Sequence, residues 1–304
     1  MNNITHKSPS YRMAVAQAIV SASREDTIAA IREGKVPKGN VFEMAKAAGL
    51  LAIKNTSNVI PDCHPLPVEG ATVTYTIQGL ELHIQVMVET VYKTGVEVEA
   101  MHGAAIVALT IYDMLKPIDK QVSISNIRLL EKKGGKSDYK DQLSRNIRAA
   151  VIVCSDTIAA GKKEDKAGKA IIEKLEGLPV EIAHYTIIPD EKDSIQAQIN
   201  SLISGGTELL LICGGTGLSK RDITPEAVMP LLEREIPGMM EAARAYGQQR
   251  MPYAMFSRGV AGMIGDSVVI TLPGSTRGAE ETMDALFPYV LHLFKVNAGM
   301  RHNG

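Results

Sequence analysis

Residues 208–227 read ELLLICGGTGLSKRDITPEA. A short apolar run, Glu208–Cys213, breaks at a glycine pair. A polar loop then leads to Thr224-Pro225, a helix start with Thr224 as N-cap and Pro225 in the first helical position. The order is strand, tight turn, helix. Ala149–Cys154, Val180–Ile188 and Val268–Leu272 are likewise short and β-rich, and Ala167–Leu175, Ile195–Ile203 and Pro225–Leu232 are helical stretches. This alternation predicts a three-layer α/β domain whose mostly parallel sheet is covered on both faces. In such sheets ligands sit beyond the carboxyl ends of the strands.

Three strand-end loops carry polar groups there: Ser155-Asp156-Thr157, then Gly214 to Asp222, then Pro273-Gly274-Ser275. Glycines let backbone N–H groups approach an anion, and a helix N-terminus favours negative charge. The Gly214, Gly215, Thr216, Gly217 turn therefore suits a phosphate, although it is neither a Walker loop nor a complete dinucleotide fingerprint. Arg221 suits phosphate oxygens. Asp222 beside a phosphate calls for a cation, which points to Mg²⁺. Asp190, between a strand and a helix, is either a helix cap or a site carboxylate.

The preceding half reads as α+β. Val41–Asn55 has helical spacing. Val73, Tyr75 and Ile77, then Leu82, Ile84, Val86 and Val88, alternate with polar residues around Gln78-Gly79, which predicts an antiparallel hairpin. A helix over about Met101–Leu115 stops at Pro117, and Val122–Leu130 is a further strand. Met13–Ala22 reads as an ordinary helix rather than a signal segment. Glu97 and Glu99 would share a face only on a strand, so an extended segment is predicted there. Asp113 and Lys116 share a helix face. Three prolines stiffen the loop around Cys63-His64. Glu131–Arg145 is the best linker segment, although Lys133, Gly134, Gly135 and Lys136 could equally form a phosphate-binding turn.

The chain has 304 residues, which suggests two domains at roughly 150 residues each. Lys and Arg total 33 against 34 Asp and Glu, and Trp is absent, so neither a basic nucleic-acid surface nor a base-stacking platform is expected. Three widely spaced cysteines fit free thiols in a cytoplasmic protein. No uninterrupted apolar run approaches membrane-spanning length, so no membrane association is expected.

The second half resembles the molybdopterin adenylyltransferases (the MogA/MoaB family). The pattern appears as SDT at 155–157, PDE at 189–191, GGTGLSKRDITPEA at 214–227 and LPGS at 272–275, with PGMMEAARAYG at 237–247 and SRGVAGMIGDS at 257–267. The resemblance implies transfer of AMP from ATP, as co-substrate, to the molybdopterin phosphate with Mg²⁺. It implies Asp190 and Asp222 as catalytic, metal-holding aspartates. Ser155, Asp156, Gly214, Gly215, Thr216, Gly217, Arg221, Pro273, Gly274 and Ser275 would bind substrate.

The first half resembles the cyclic pyranopterin monophosphate synthases (the MoaC family), through KGNVF at 38–42, IPDCHPL at 60–66, KTGVEVEAM at 93–101, TIYDMLK at 110–116 and LLEKKGGKSD at 129–138. The resemblance implies a ferredoxin-like antiparallel α+β domain that rearranges a cyclised dihydro-GTP and releases pyrophosphate. Asp113 and Lys116 would carry acid–base chemistry with Lys38, His64 and Glu99. Arg12, Lys54, Cys63, Glu97, Met101, Lys133 and Lys136 would bind substrate.

The expected organisation is a synthase-like domain over 1–138, a linker over 139–147 and a transferase-like domain over 148–304. The reading is a bifunctional molybdenum cofactor biosynthesis enzyme; the alternative makes one half a non-catalytic pterin-binding or assembly module. The two reactions are not consecutive in the pathway the resemblance implies, so docking of the intervening enzymes is expected rather than channelling. Hexamers in one family and trimers in the other imply a homo-oligomer with threefold symmetry.

Overall fold

The computed structural model describes residues 1–135, 138 and 143–297. The chain forms two compact units, Met1–Tyr139 and Lys140–Gly304.

The first unit contains β1 (Ser10–Ser21), α1 (Glu25–Arg32), α2 (Val41–Lys54), α3 (Thr56–Val59), β2 (Gly70–Gln78), β3 (Glu81–Tyr92), α4 (Glu97–Leu115) and β4 (Ser123–Lys133). The strands make one sheet in the order β2-β3-β1-β4, every pairing antiparallel. The hairpin turns at Gly79, whose φ of +58° costs glycine little. Asn40 starts α2, its side-chain oxygen accepting from the N–H groups of Phe42 and Glu43.

Three expectations change here. Met13–Ala22 is not a helix: Met13–Ser21 belong to β1, the strand between β3 and β4. Alanine's high helix propensity misleads at this point. The deciding pattern has period two, because Ala14, Ala16, Ala18 and Val20 are fully buried, and Ala16 pairs with Val86 of β3. Glu97 and Glu99 are not extended either. They form the first turn of α4, where acidic side chains favour the positive end of the helix dipole. Their faces diverge, so Glu99 is buried and Glu97 is not. Finally, Glu131–Lys133 extend β4, so the linker segment begins later than its composition suggests. Lys136 and residues 139–142 lie outside the described residues.

α4 packs its Ala100, Ala104, Val107, Ala108, Ile111 and Leu115 into one core with the sheet and α2. By length and composition it could cross a membrane, but half of that window is buried inside the unit.

The second unit contains β5 (Ile147–Cys154), α5 (Asp156–Ala159), α6 (Ala167–Leu175), β6 (Val180–Ile188), α7 (Lys192–Ser204), β7 (Leu209–Cys213), α8 (Thr224–Val228), β8 (Arg234–Glu235), α9 (Pro237–Gln248), β9 (Ala261–Ile264), β10 (Ser267–Leu272), α10 (Thr276–Leu286) and α11 (His292–Asn297). The sheet order is β6-β5-β7-β10-β9-β8. β6, β5, β7 and β10 run parallel, while β9 and β8 add an antiparallel edge. One core packs β-residues against α6, α9 and α10, through Ile171, Met240 and Met283. The other packs them against α7 and α8, through Ile195, Ile199 and Val228. Both faces are therefore covered. Thr224 is not the N-cap of α8: it is the first helical residue, behind Ile223, and Pro225 follows it.

Candidate active sites

In the second unit the carboxyl ends of β5, β7 and β10 bring three loops together. Gly214 donates its N–H to the Leu272 carbonyl at 3.0 Å, and a Cβ on Gly274 would stand 3.2 Å from the Gly214 Cα. Gly214 and Gly215 have φ of +109° and +62°, the left-handed region that favours glycine. A Cβ on Gly215 would overlap Thr224 Oγ1 and come within 3.2 Å of Asp190 Oδ1. Ser155 caps α5 and Ser275 caps α10.

The carboxylates interlock. Asp156 accepts from the Asp190 N–H at 3.0 Å, and Asp190 accepts from the Asp156 N–H at 3.2 Å. Arg221 Nε donates to Asp156 Oδ2 at 3.0 Å and holds that carboxyl below its ordinary range. Burial, reinforced by the charges of Asp156 and Asp222, pushes Asp190 up. Asp222 accepts from the Ser219 N–H at 2.7 Å. Asp190 is therefore not the cap of α7, a position that Glu191 takes.

A cavity of about 690 Å³ opens beside these turns. Gly215, Thr216, Gly217, Asp222, Pro273, Gly274 and Ser275 line it, whereas Ser155, Asp156, Asp190, Gly214 and Arg221 do not. Sequence reasoning missed Arg258, which braces the glycine loop: its N–H, Nε and Nη2 donate to the carbonyls of Thr216, Gly217 and Asp222. It also missed the far wall, where Met240, Arg244, Tyr253, Phe256 and Glu281 stand. The signal was available for the ring pair, because Tyr253 and Phe256 are exposed aromatics in a chain with only 4 Phe and 9 Tyr.

The first unit holds two groups of site residues. At the C-terminal end of α4, Lys38 Nζ donates to Asp113 Oδ2 at 2.5 Å and to the Asp113 carbonyl at 2.9 Å. Lys116 Nζ lies 2.7 Å from Asp113 Oδ1. The Lys116 and Lys38 ammoniums hold Asp113 down at about 2, and Asp113 in turn raises Lys116. At the N-terminal end of α4, the Cys63 thiol donates to Glu99 Oε1 at 3.3 Å. Burial, then the Glu99 carboxyl, pushes Cys63 up to about 11. Burial raises Glu99 as well, and its Oε2 is buried with no hydrogen-bond partner. His64 Nε2 lies 2.8 Å from the Asn2 carbonyl, and Glu97 pairs with Lys132 at 3.4 Å.

Arg12 donates to the Tyr92 carbonyl at 3.4 Å, and the turn after Lys133 passes so close that a Cβ on Gly135 would overlap Arg12 Nη1. Lys133 pairs with Glu131 at 2.9 Å, Lys54 is exposed at the end of α2, and Met101 is half-buried against the core. Glu99 and Asp113 are fourteen positions apart on one helix, about 21 Å at its rise per residue. One copy of the chain therefore does not join its two groups into a single pocket.

The MoaC family model matches residues 1–135, and the model described as "Probable molybdopterin binding domain" matches residues 150–292. The molybdenum cofactor biosynthesis bifunctional protein of Chlorobaculum tepidum is 39% identical over 302 residues, covering 99% of this chain and 96% of the relative. The chain belongs to the bifunctional molybdenum cofactor biosynthesis proteins. The first half of this bifunctional protein is 45% identical over 139 residues to the cyclic pyranopterin monophosphate synthase of Clostridium perfringens, covering 45% of this chain and 87% of that one. The second is similar to the molybdopterin biosynthesis enzyme MoaB of Thermus thermophilus, at 39% identity, 51% of this chain, 98% of that chain and a TM-score of 0.49. The bifunctional protein is thus an enzyme of molybdenum cofactor biosynthesis, with one member of each family in its two halves.

Proposed function

We propose that the second half transfers AMP from ATP to the molybdopterin phosphate, and that Asp190 and Asp222 are its catalytic aspartates. The observation that carries this is the Gly215 turn: it passes close to Thr224, the first residue of α8, and to Asp190 Oδ1, which is buried without a hydrogen-bond partner. The residues fit Mg²⁺. No cluster of three or more metal-ligating side chains occurs among the described residues, but Mg²⁺ usually takes one or two carboxylates with water and substrate phosphates. A cation would also offset the burial and the neighbouring charges that raise Asp190. When bound, Mg²⁺ would neutralise charge on the reacting phosphates. Gly214 to Gly217, Gly274 and Ser275 cradle the anions, and Ser155 and Asp156 complete the wall. Arg221 orients Asp156 and answers phosphate charge.

The first half rearranges cyclised dihydro-GTP to the cyclic pyranopterin phosphate with release of pyrophosphate. Asp113 holds both lysines in place and favours the protonated form of Lys116, whose ammonium can give a proton to the reacting centre. Burial shifts Glu99 toward its protonated form, and its unpartnered oxygen is free to serve the reaction. Arg12, Lys54 and Lys133 answer the triphosphate, and Cys63, His64, Glu97 and Met101 shape the wall. Because the two groups stand at opposite ends of α4, a second copy of the chain completes each pocket. A homo-oligomer, with threefold symmetry shared by both halves, follows from that reading. The order β2-β3-β1-β4 with helices in both crossovers supports a ferredoxin-like domain. Three free thiols support a cytoplasmic setting.

Pyrophosphate release tests both halves. Asp222→Asn and Asp190→Asn should each abolish release from Mg-ATP and molybdopterin, and leave cyclic pyranopterin formation intact. Lys116→Ala should do the reverse. Full transfer by Asp222→Asn would reject its assignment.

A further inference from the structure

The Glu99 end of α4 holds a second titratable side chain on the same helix face. His102 follows Glu99 by three positions, a spacing that makes helical side chains neighbours, and it stands just beyond the KTGVEVEAM stretch. Its ring Nδ1 lies 3.1 Å from the hydroxyl of Thr56, the first residue of α3. Thr56 is buried and His102 half-buried.

The hydroxyl decides which ring nitrogen carries the proton. Thr56 Oγ1 lies 3.0 Å from the Ile53 carbonyl and 3.2 Å from the Ala52 carbonyl, the contacts of a threonine that bonds back to the preceding turn. Carbonyl oxygens only accept, and a hydroxyl has one proton to give. That proton is committed to the two carbonyls, so toward His102 the hydroxyl oxygen accepts and Nδ1 donates. This holds for the neutral ring and for the cation alike. The atom left to take up and release a proton is Nε2.

Glu99 stands where that charge is felt. Its carboxyl is 2% exposed, Oε1 accepts from the Cys63 thiol, and Oε2 has no partner. Cys63 reaches it from the loop after α3, whereas Glu97 and His102 act on it from α4 itself, and Lys132 of β4 pairs with Glu97. Burial raises Glu99, the Cys63 thiol lowers it, Glu97 raises it and His102 lowers it. Of the three neighbours acting on Glu99, only His102 can bring a positive charge. We infer that His102 is a positioning residue of the first half: fixed by Thr56 through Nδ1, it sets the charge of Glu99 through the proton on Nε2. A ring that takes up its proton favours the carboxylate, and a ring that loses it leaves Glu99 to the effect of burial.

This inference rests on the reading that Glu99 serves the reaction of the first half, and the experiment separates the two. Melting temperatures of the full chain are measured over about pH 5 to 9 for wild type, Glu99→Gln, His102→Asn and the double variant. The effect of Glu99→Gln against pH locates the ionisation of Glu99, once with His102 in place and once without it. Asparagine keeps an N–H near Nδ1 for Thr56 and lacks the titrating nitrogen. Replacing His102 should raise the Glu99 midpoint by about one pH unit. An unmoved or lowered midpoint overturns the inference. The pH profile of kcat/KM for cyclic pyranopterin formation should move with the midpoint in His102→Asn, a shift that lost packing alone would not produce. A profile that stays put while the midpoint moves removes His102 from the reaction. Should His102→Asn fail to fold, the coupling is read in reverse, because it is reciprocal. In full chain carrying ¹⁵N-histidine, the ring protonated on Nδ1 should titrate at lower pH in Glu99→Gln than in wild type, and equal titration is equally fatal. A moved midpoint with no cyclic pyranopterin formation by wild type sinks only the synthase reading. Full synthase activity with an unmoved midpoint sinks only the role of His102.

Discussion

Glu99 shows how a single buried side chain can link the chemistry of a site to its stability. Its carboxyl is buried at the start of α4, with one oxygen held by the Cys63 thiol and the other unpartnered. Burial raises its folded-state pKa above the ordinary glutamate value of about 4.3. Below that value both states are protonated and the folded state keeps its full advantage. As pH rises through the raised folded value, the buried group must ionise and stability is lost. Glu99→Gln carries no ionisable group, so its melting temperature relative to wild type should be more favourable at pH 8 than at pH 5. Calorimetry of the full chain at both values checks this, and an equal difference at each pH would show that Glu99 is charged and partnered in the folded protein. The candidate residues at the other end of α4 were legible as types, and Lys38, Asp113 and Lys116 meet there. Which oxygens are buried, and which are left without partners, was not legible, because that depends on atoms brought in from loops far away in sequence.

The elements show where pattern reading succeeds and where it does not. α2, the β2–β3 hairpin, α6 and β6 are plain in the sequence because each has one periodicity over its whole length. β1 is not plain, since its alanines favour a helix and only the neighbouring β3 and β4 settle the matter. α4 begins a turn earlier than expected for a related reason: Glu97 and Glu99 favour a helix start only once Glu99 has a core to enter. The packing of α2 on α4 depends on two glycines that no periodicity marks. A Cβ on Gly49 would overlap Val107 Cγ2, and one on Gly103 would stand 2.7 Å from Ile53 Cγ1. Alanine at position 49 would gain about 1 kcal/mol of helix propensity. Overpacking a contact this tight costs about 1–3 kcal/mol, so the collision wins. Gly49→Ala should therefore lower the urea midpoint of the first unit, and an unchanged midpoint would mean that the two helices can separate without cost.

At the scale of the whole molecule, the bifunctional protein carries two reactions on two separately folded units, and the proposed pocket of the first draws on a second copy of the chain. Lys116→Ala and Glu99→Gln impair opposite ends of α4. If a pocket takes one end from each of two copies, mixed oligomers of these variants will contain some pockets with neither lesion. Co-refolding the two should restore a measurable fraction of cyclic pyranopterin formation, whereas each alone remains impaired. No restoration would mean that one copy supplies the whole site. The amino-acid sequence determined which chemistry is present: glycine turns after apolar strands, aspartates two loops apart and lysines beside a carboxylate are local features, fixed by neighbouring residues and the backbone's own preferences. Tertiary structure alone decided that Asp190 Oδ1 is buried near Gly215, that Glu281 lines the same cavity as Tyr253 and Phe256, and that Glu99 and Asp113 stand apart. Burial and distance belong to segments meeting in space, and nothing in the order of residues along the chain sets them before the core has formed.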